Sequence, residues 1–248
     1  MNLTFLGTSH GVPEVNRYCT SYLLEVDDNM YLIDTGAPVV NLLINKEKNL
    51  ANLKAVFNTH FHLDHAVGAL HLLDLCSWYF KDTSFTFFCP EQRGIDAFKE
   101  VISAGTTVFA GDRLKTSVFS EGVIYDDGVI KVEAIPTEHT SYNPVIDSYA
   151  FYIEAKDKKI LFTGDLSMNL EKDDFPKIAF DRHMDIIVTE CAHFEPSALE
   201  PYMAKIDTDI LAVAHIYDIE RKAPLLEEIS QKYDFELLVA EDDDEIEF

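Results

Sequence analysis

Positive charge is scarce in this chain. Against 44 aspartates and glutamates stand 20 lysines and arginines, a formal net charge of -24 at pH 7. A field of that sign repels polyanions, which argues against an extended nucleic acid or an anionic membrane as partner. Cysteine is scarce too. Cys19, Cys76, Cys89 and Cys191 are scattered with no Cys-x-x-Cys pair, which argues against a zinc ribbon or a disulfide framework and for buried thiols in a reducing compartment. The N-terminus, Met1-Asn2-Leu3-Thr4-Phe5-Leu6-Gly7, lacks the basic and long apolar regions of a signal peptide. No apolar run is long enough to span a bilayer. Repeats, linkers and low-complexity segments are missing as well. These absences predict a soluble, cytoplasmic protein whose residues 1–248 form one domain, with 241–248 as an acidic, solvated tail.

What is present is an ordinary globular balance, 47% hydrophobic and 26% charged, with enough chain to bury a substantial core. Its focus is His60-Phe61-His62-Leu63-Asp64-His65. Three imidazoles and a carboxylate follow the apolar run Leu53-Lys54-Ala55-Val56-Phe57, which reads as a buried strand. Residues 66–80 carry Val67, Leu70, Leu73 and Trp78 at helical spacing. The ligand-type residues therefore fall at the carboxyl end of a strand and on the following turn, where α/β proteins place their sites. His60 and His62 alternate and share a side, while Asp64 and His65 reach a second point. Neutral imidazole with carboxylate suits zinc, and also manganese or iron.

Around this stretch the pattern alternates strands and helices. Residues 3–6, 22–26, 30–33 and 85–88 read as strands, with helices over 38–46 and 90–103. Residues 114–135 read as one extension of short strands turning at Asp126-Asp127-Gly128. A hairpin over 148–162 turns at Lys156-Asp157-Lys158. Buried strands over 185–188, 210–213 and 236–239 are separated by helices over 197–204 and 220–232.

His-x-His-x-Asp-His resembles the signature of the metallo-β-lactamase-fold hydrolases. The later residues asked for by that pattern are His139 in Pro136-Thr137-Glu138-His139, Asp165 in Phe162-Thr163-Gly164-Asp165, and His215 in Ala212-Val213-Ala214-His215. The resemblance runs from Leu3 to Val239. It implies an α/β fold, an αββα four-layer sandwich of two sheets with helices outside, and two divalent metal ions. His60, His62 and His139 would hold the first metal, Asp64, His65 and His215 the second, with Asp165 between them. Two cations about 4 Å apart can hold a hydroxide that attacks carbonyl carbon or phosphorus. Asp64 could also take its proton. Asp34, in Ile33-Asp34-Thr35-Gly36, matches a position that supports the metal histidines.

Phe5-Leu6-Gly7-Thr8-Ser9-His10-Gly11-Val12-Pro13 resembles the N-terminal motif of the ribonuclease Z-like and phosphodiesterase branch, whose glycine-bearing loop lets backbone amides approach phosphate oxygens. In that branch a non-ligand histidine, helped by a carboxylate, protonates the leaving oxygen. His193 in Thr189-Glu190-Cys191-Ala192-His193 is the nearest match, and Glu190 at the same strand end is a further candidate to face the cleft. A structural role is open for His193 and for His10; His71 and His183 read as surface or helix-face residues. Histidine at position 62, where the flavin-linked di-iron branch has an acidic residue, points away from redox chemistry.

The expected activity is a metal-dependent phosphodiesterase acting on a small anionic phosphodiester or cyclic nucleotide. Phe61, Tyr142, Tyr149, Phe194 and Tyr217 are candidates to stack on a base, and core packing explains them equally well. Lactone, thioester or amide hydrolysis on the same two metals is the second reading, with Tyr217 polarising a carbonyl. A tRNA-processing endonuclease ranks lower, since the charge is wrong and no glycine- and proline-rich clamp insertion is present. A metal-binding scaffold without turnover ranks last, because the ligand set is unbroken. Pairing of two copies is compatible with a domain of this size.

Overall fold

Every strand expected from the apolar runs forms, and each falls in one of two seven-stranded sheets. The computed structural model of the chain describes residues 1–139 and 146–248, so Tyr142 lies outside the described residues. Two compact units result, residues 1–119 with 242–248, and residues 120–241.

In the first unit, β1 (Asn2–Gly7), β2 (Ser21–Val26) and β3 (Asn29–Thr35) form an antiparallel meander. β4 (Leu53–Phe57), β5 (Phe85–Phe88) and β6 (Leu114–Ser117) then continue the sheet in parallel. Parallel neighbours need crossovers, supplied by α1 (Val39–Asn45), α2 (Leu63–Trp78) and α3 (Gln92–Ala104). Leu32, Val56 and Phe87 of the strands share one apolar cluster with Val39, Leu43, Leu72 and Phe98 of the helices. The alternate strand residues Ile33, Ala55 and Phe57 are fully buried as well.

The helix after the histidine stretch begins earlier than expected, at Leu63, so Asp64 and His65 sit on its first turn. His62, still extended, is its N-cap. Histidine and aspartate are poor helix formers, which hid the start. A carboxylate in the first turn is nonetheless favoured by the helix dipole.

In the second unit, β7 (Gly122–Asp126), β8 (Ile130–Thr137), β9 (Ser148–Ala155) and β10 (Lys158–Phe162) pair antiparallel in sequence order. α4 (Ile178–Asp181), β11 (Met184–Cys191), α5 (Pro196–Met203), β12 (Thr208–Ile216), α6 (Ile219–Ser230) and β13 (Glu236–Val239) follow, with β10 to β13 parallel. Leu161, Ile187 and Val213 of these strands cluster with Phe175, Leu199 and Leu226. Residues 114–135 are therefore not one extension. β6 closes the first sheet and β7 opens the second, a division that short alternating strands cannot announce.

The acidic end is not a frayed tail. β14 (Glu245–Glu247) pairs antiparallel with β1, through backbone bonds to which side-chain charge is irrelevant. Just before it, the Asp242 carboxylate accepts from Thr8 N–H at 2.8 Å, Thr8 Oγ1 at 2.7 Å and Tyr18 N–H at 2.6 Å. Asp242 thus pins the loop after β1. Replacing it with alanine leaves these donors without their acceptor, and stability is expected to fall by about 1–3 kcal/mol. Urea denaturation checks this, and an unchanged midpoint would show that the pin contributes nothing.

All four cysteines are free and buried. Burial pushes the thiol pKa of Cys76 up to about 11 and of Cys89 and Cys191 to about 12, so these three are packing groups rather than nucleophiles. No described helix is long and apolar enough to cross a membrane.

Candidate metal and catalytic site

Asp34 organises the histidines of the first unit. It is the extra residue of a bulge between β2 and β3, where Ser21 pairs with Thr35 and Tyr22 with Ile33, and its φ is 55°. A bulge re-aims a side chain, here towards the loop after β4. Asp34 is 1% exposed. Its Oδ1 accepts from Thr59 N–H at 2.8 Å, and its Oδ2 lies 2.8 Å from His65 Nδ1. Thr59 Oγ1 lies 3.0 Å from Asp34 Oδ2 and 3.0 Å from His60 Nδ1.

A carboxylate can only accept. His65 Nδ1 must therefore carry its hydrogen, and the Thr59 hydroxyl donates to Asp34 and accepts from His60 Nδ1. One carboxylate fixes two tautomers, so that Nε2 is the acceptor nitrogen of each ring. His60 Nε2 stands 3.0 Å from His62 Nδ1, and His65 Nε2 stands 3.4 Å from Asp64 Oδ2. Converging lone pairs of this kind are the donor set a divalent cation satisfies. The expected support role of Asp34 thus has its contacts. Asp34→Ala is expected to weaken metal binding roughly 10–100-fold, read by competition with a chromogenic chelator; undiminished affinity would mean that the imidazoles orient themselves.

The same unit carries the glycine-bearing loop. A Cβ at Gly11 would stand 3.4 Å from Asp64 Oδ2, so the loop passes beside that carboxylate. Gly36 admits no side chain, because a Cβ there would lie 2.5 Å from the Asp64 carbonyl oxygen. His10 is tied into its own loop, its Nδ1 accepting from Val12 N–H at 3.3 Å.

In the second unit the site grows from four strand ends. His139 follows β8, Asp165 follows β10 and Gly164, Glu190 and His193 lie at the end of β11, and His215 lies in β12. His139 Nδ1 faces the Leu166 carbonyl at 3.2 Å, so it carries the hydrogen and Nε2 is the acceptor nitrogen. That Nε2 and His215 Nε2 each stand 3.5 Å from Asp165 Oδ2. His215 is itself a bulged residue, because Glu190 pairs with Ala214 and Cys191 with Ile216. Its φ is 46°, a conformation that costs a non-glycine residue energy and is concentrated at functional sites. Asp165, His193 and His215 also offer donor atoms within 4.8 Å of one another.

Glu190 is 2% exposed and lies 2.8 Å from His193 Nδ1 through either oxygen. It also accepts from Leu166, Ala192 and His193 N–H groups. His193 is therefore a carboxylate-backed histidine whose Nε2 is turned away from its partner.

Sequence reasoning missed Asp174. Its carboxylate accepts from Glu138 N–H and Ser167 N–H at 2.9 Å each and so ties the His139 segment to the Asp165 loop. An aspartate in an acidic loop gives no signal of such a role.

The proposed stacking aromatics divide. Phe61 packs against Phe98 at 5.0 Å between centroids, Phe194 belongs to the second core cluster, and Tyr149 is buried; core packing claims all three. Tyr217 is 54% exposed, with Lys222 Nζ 6.0 Å from its ring centroid. His71 and His183 are exposed.

A family model described as Anti-Pycsar protein Apyc1 matches residues 1–208, a span that stops before His215. Ribonuclease Z of Shouchella clausii is 32% identical over 163 residues, 64% of this chain and 49% of that protein. The chain spans about half the length of the curated relatives it matches. Among solved structures, the metallo-β-lactamase fold protein YhfI from Bacillus subtilis aligns at a TM-score of 0.78 with 18% identity, covering 99% of each chain. Human tRNase Z, short form, aligns at 0.75 with 19% identity, covering 100% of this chain and 99% of its own. The fold is the metallo-β-lactamase fold, as the resemblance implied.

Proposed function

The chain belongs to the Anti-Pycsar protein Apyc1 family, and within it we propose a dinuclear metal-dependent phosphodiesterase acting on a small anionic phosphodiester such as a cyclic nucleotide. Both units serve one hydrolase domain in this reading. In this reading His60, His62, Asp64, His65, His139, Asp165 and His215 would hold two divalent cations, with His60, His62 and His139 serving the first, Asp64, His65 and His215 the second, and Asp165 contributing to both. Support comes from the donor chemistry of each unit and from a family match that runs through both. Zinc suits these donors, with manganese and iron admitted.

Bound divalent cations supply Lewis acidity to a phosphoryl oxygen and lower the pKa of a coordinated water. The chain's own residues do the rest. Asp34 keeps the His60 and His65 lone pairs aimed. Asp64 accepts the proton of the attacking water. As the bond from phosphorus to the leaving oxygen breaks, His193 delivers a proton from Nε2 to that oxygen, and Glu190 stabilises the charged imidazole from the Nδ1 side.

The observation that carries the reading is the Glu190–His193 pair at 2.8 Å, with His193 Nδ1 3.9 Å from Asp165 Oδ2. An alkoxide leaving group needs a proton, whereas a thiolate leaves without one. The ribonuclease Z relatives favour RNA as substrate instead. A net charge of -24 opposes that, since RNA phosphates are neutralised by lysine and arginine.

The test is turnover by metal-reconstituted protein of bis-p-nitrophenyl phosphate and a 3′,5′-cyclic nucleotide, with a thioester, a lactone and a precursor tRNA in parallel. Both small phosphodiesters are expected to turn over, with loss on Asp64→Ala. Turnover of the thioester or lactone alone overturns the phosphodiesterase reading, and cleavage confined to the tRNA moves it to RNA processing.

A further inference from the structure

The first turn of α6 carries two cations, Arg221 and Lys222, where a helix dipole disfavours them. Lys222 is 1% exposed. Its Nζ donates to the Cys191 carbonyl at 2.6 Å and the Phe194 carbonyl at 2.8 Å, the two carbonyls that bracket Ala192 and His193. Arg221 grips the next residue, with Nη1 and Nη2 donating to the two Glu195 oxygens at 2.7 and 2.9 Å. Its Nε donates to Asp218 at 2.7 Å, the residue that caps α6 three positions past His215. Hydrogen bonding to Arg221 holds the Glu195 carboxyl below the usual carboxylate range.

Burying an ammonium is unfavourable unless its hydrogens are bonded. An apolar residue at 222 would avoid that cost. The buried charge does one thing an apolar side chain cannot do: it fixes the carbonyls on both sides of His193. The His193 carbonyl is held separately, by Asn169 N–H at 3.1 Å. The turn is thereby anchored before, at and after His193, while Glu190 aims the ring.

We propose that Lys222 and Arg221 are positioning residues, a two-point clamp from α6 that sets the His193 imidazole in register with the strand end bearing His215. This rests on the reading of His193 as the proton donor. The clamp acts on the protonation of the leaving oxygen and not on the donors that hold metal. Its signature is therefore a change in leaving-group dependence.

The experiment compares turnover of a 3′,5′-cyclic nucleotide, whose leaving group is an alkoxide, with that of bis-p-nitrophenyl phosphate, whose nitrophenolate leaves unaided. General acid catalysis contributes roughly 10²–10⁴-fold. Lys222→Met is expected to lower the ratio of the two turnovers about tenfold or more, in the direction of His193→Ala and short of it. Arg221→Gln, at an exposed ion pair of a kind that contributes little to stability, is expected to lower the ratio less, with Arg221→Lys restoring part of it. A parallel fall on both substrates, or a ratio equal to that of the parent, overturns the clamp. If Lys222→Met does not fold, Arg221→Gln decides alone, and an unchanged ratio there overturns the proposal. A His193→Ala protein with the parental ratio is a different failure: it removes the proton-donor reading on which the clamp depends.

Discussion

Asp165→Asn is expected to lower phosphodiester turnover by about a thousandfold, with loss of bound metal. Removing a partner that merely orients a ligand costs roughly 10–100-fold, and the donor role proposed for Asp165 is closer to the chemistry than that. Its Oδ2 is the point towards which His139 Nε2 and His215 Nε2 converge, each at 3.5 Å. Asparagine keeps the shape and removes the charge, so a change in fold is not the expected cause. It also offers the two imidazoles an amide, whose –NH2 face cannot coordinate. Metal content by elemental analysis, set beside kcat on bis-p-nitrophenyl phosphate, checks the prediction. A protein that keeps both its metal and more than about a tenth of its turnover would place the shared donor elsewhere.

Glu190→Gln is expected to lower cyclic-nucleotide turnover about a hundredfold, at the lower end of what general acid catalysis supplies. Both Glu190 oxygens face His193 Nδ1 at 2.8 Å, and an amide stabilises an imidazolium less than a carboxylate does. Glutamine also replaces one accepting oxygen with a donor facing backbone N–H groups. A stability loss on the order of 1–3 kcal/mol should accompany the change. Kinetics below the lowered melting range separate the two effects. Nitrophenyl ester turnover should fall far less; equal falls would mean that Glu190 maintains the fold of the turn and has no part in protonation.

The candidate donors of each unit stand out in the sequence because of their chemistry. His60, His62, Asp64, His65, His139, Asp165 and His215 are ligand-type residues just after apolar runs, and strand ends are where α/β folds expose such groups. The means of aiming them were not legible. Asp34 and His215 owe their directions to one extra residue in a strand pair, and a bulge is set by the register of two distant segments, not by local composition. Lys222 reads in sequence as one more charge at the start of an amphipathic helix, yet it is buried on two carbonyls. Asp242 and Asp174 read as surface acids. In each case the partners include backbone groups, which the amino-acid sequence does not distinguish.

The pairing of β14 with β1 has a consequence for the order in which this chain becomes competent. The bond from Thr8 N–H to Asp242 spans 234 positions of sequence, so it forms late, after a large loop has closed. Until residues 242–248 are made, the outer edge of β1 lies open through the synthesis of everything between. An unpaired edge strand is a template for pairing with another chain. Species shortened before residue 242 should therefore accumulate as aggregates, even though every candidate metal donor is already present in them.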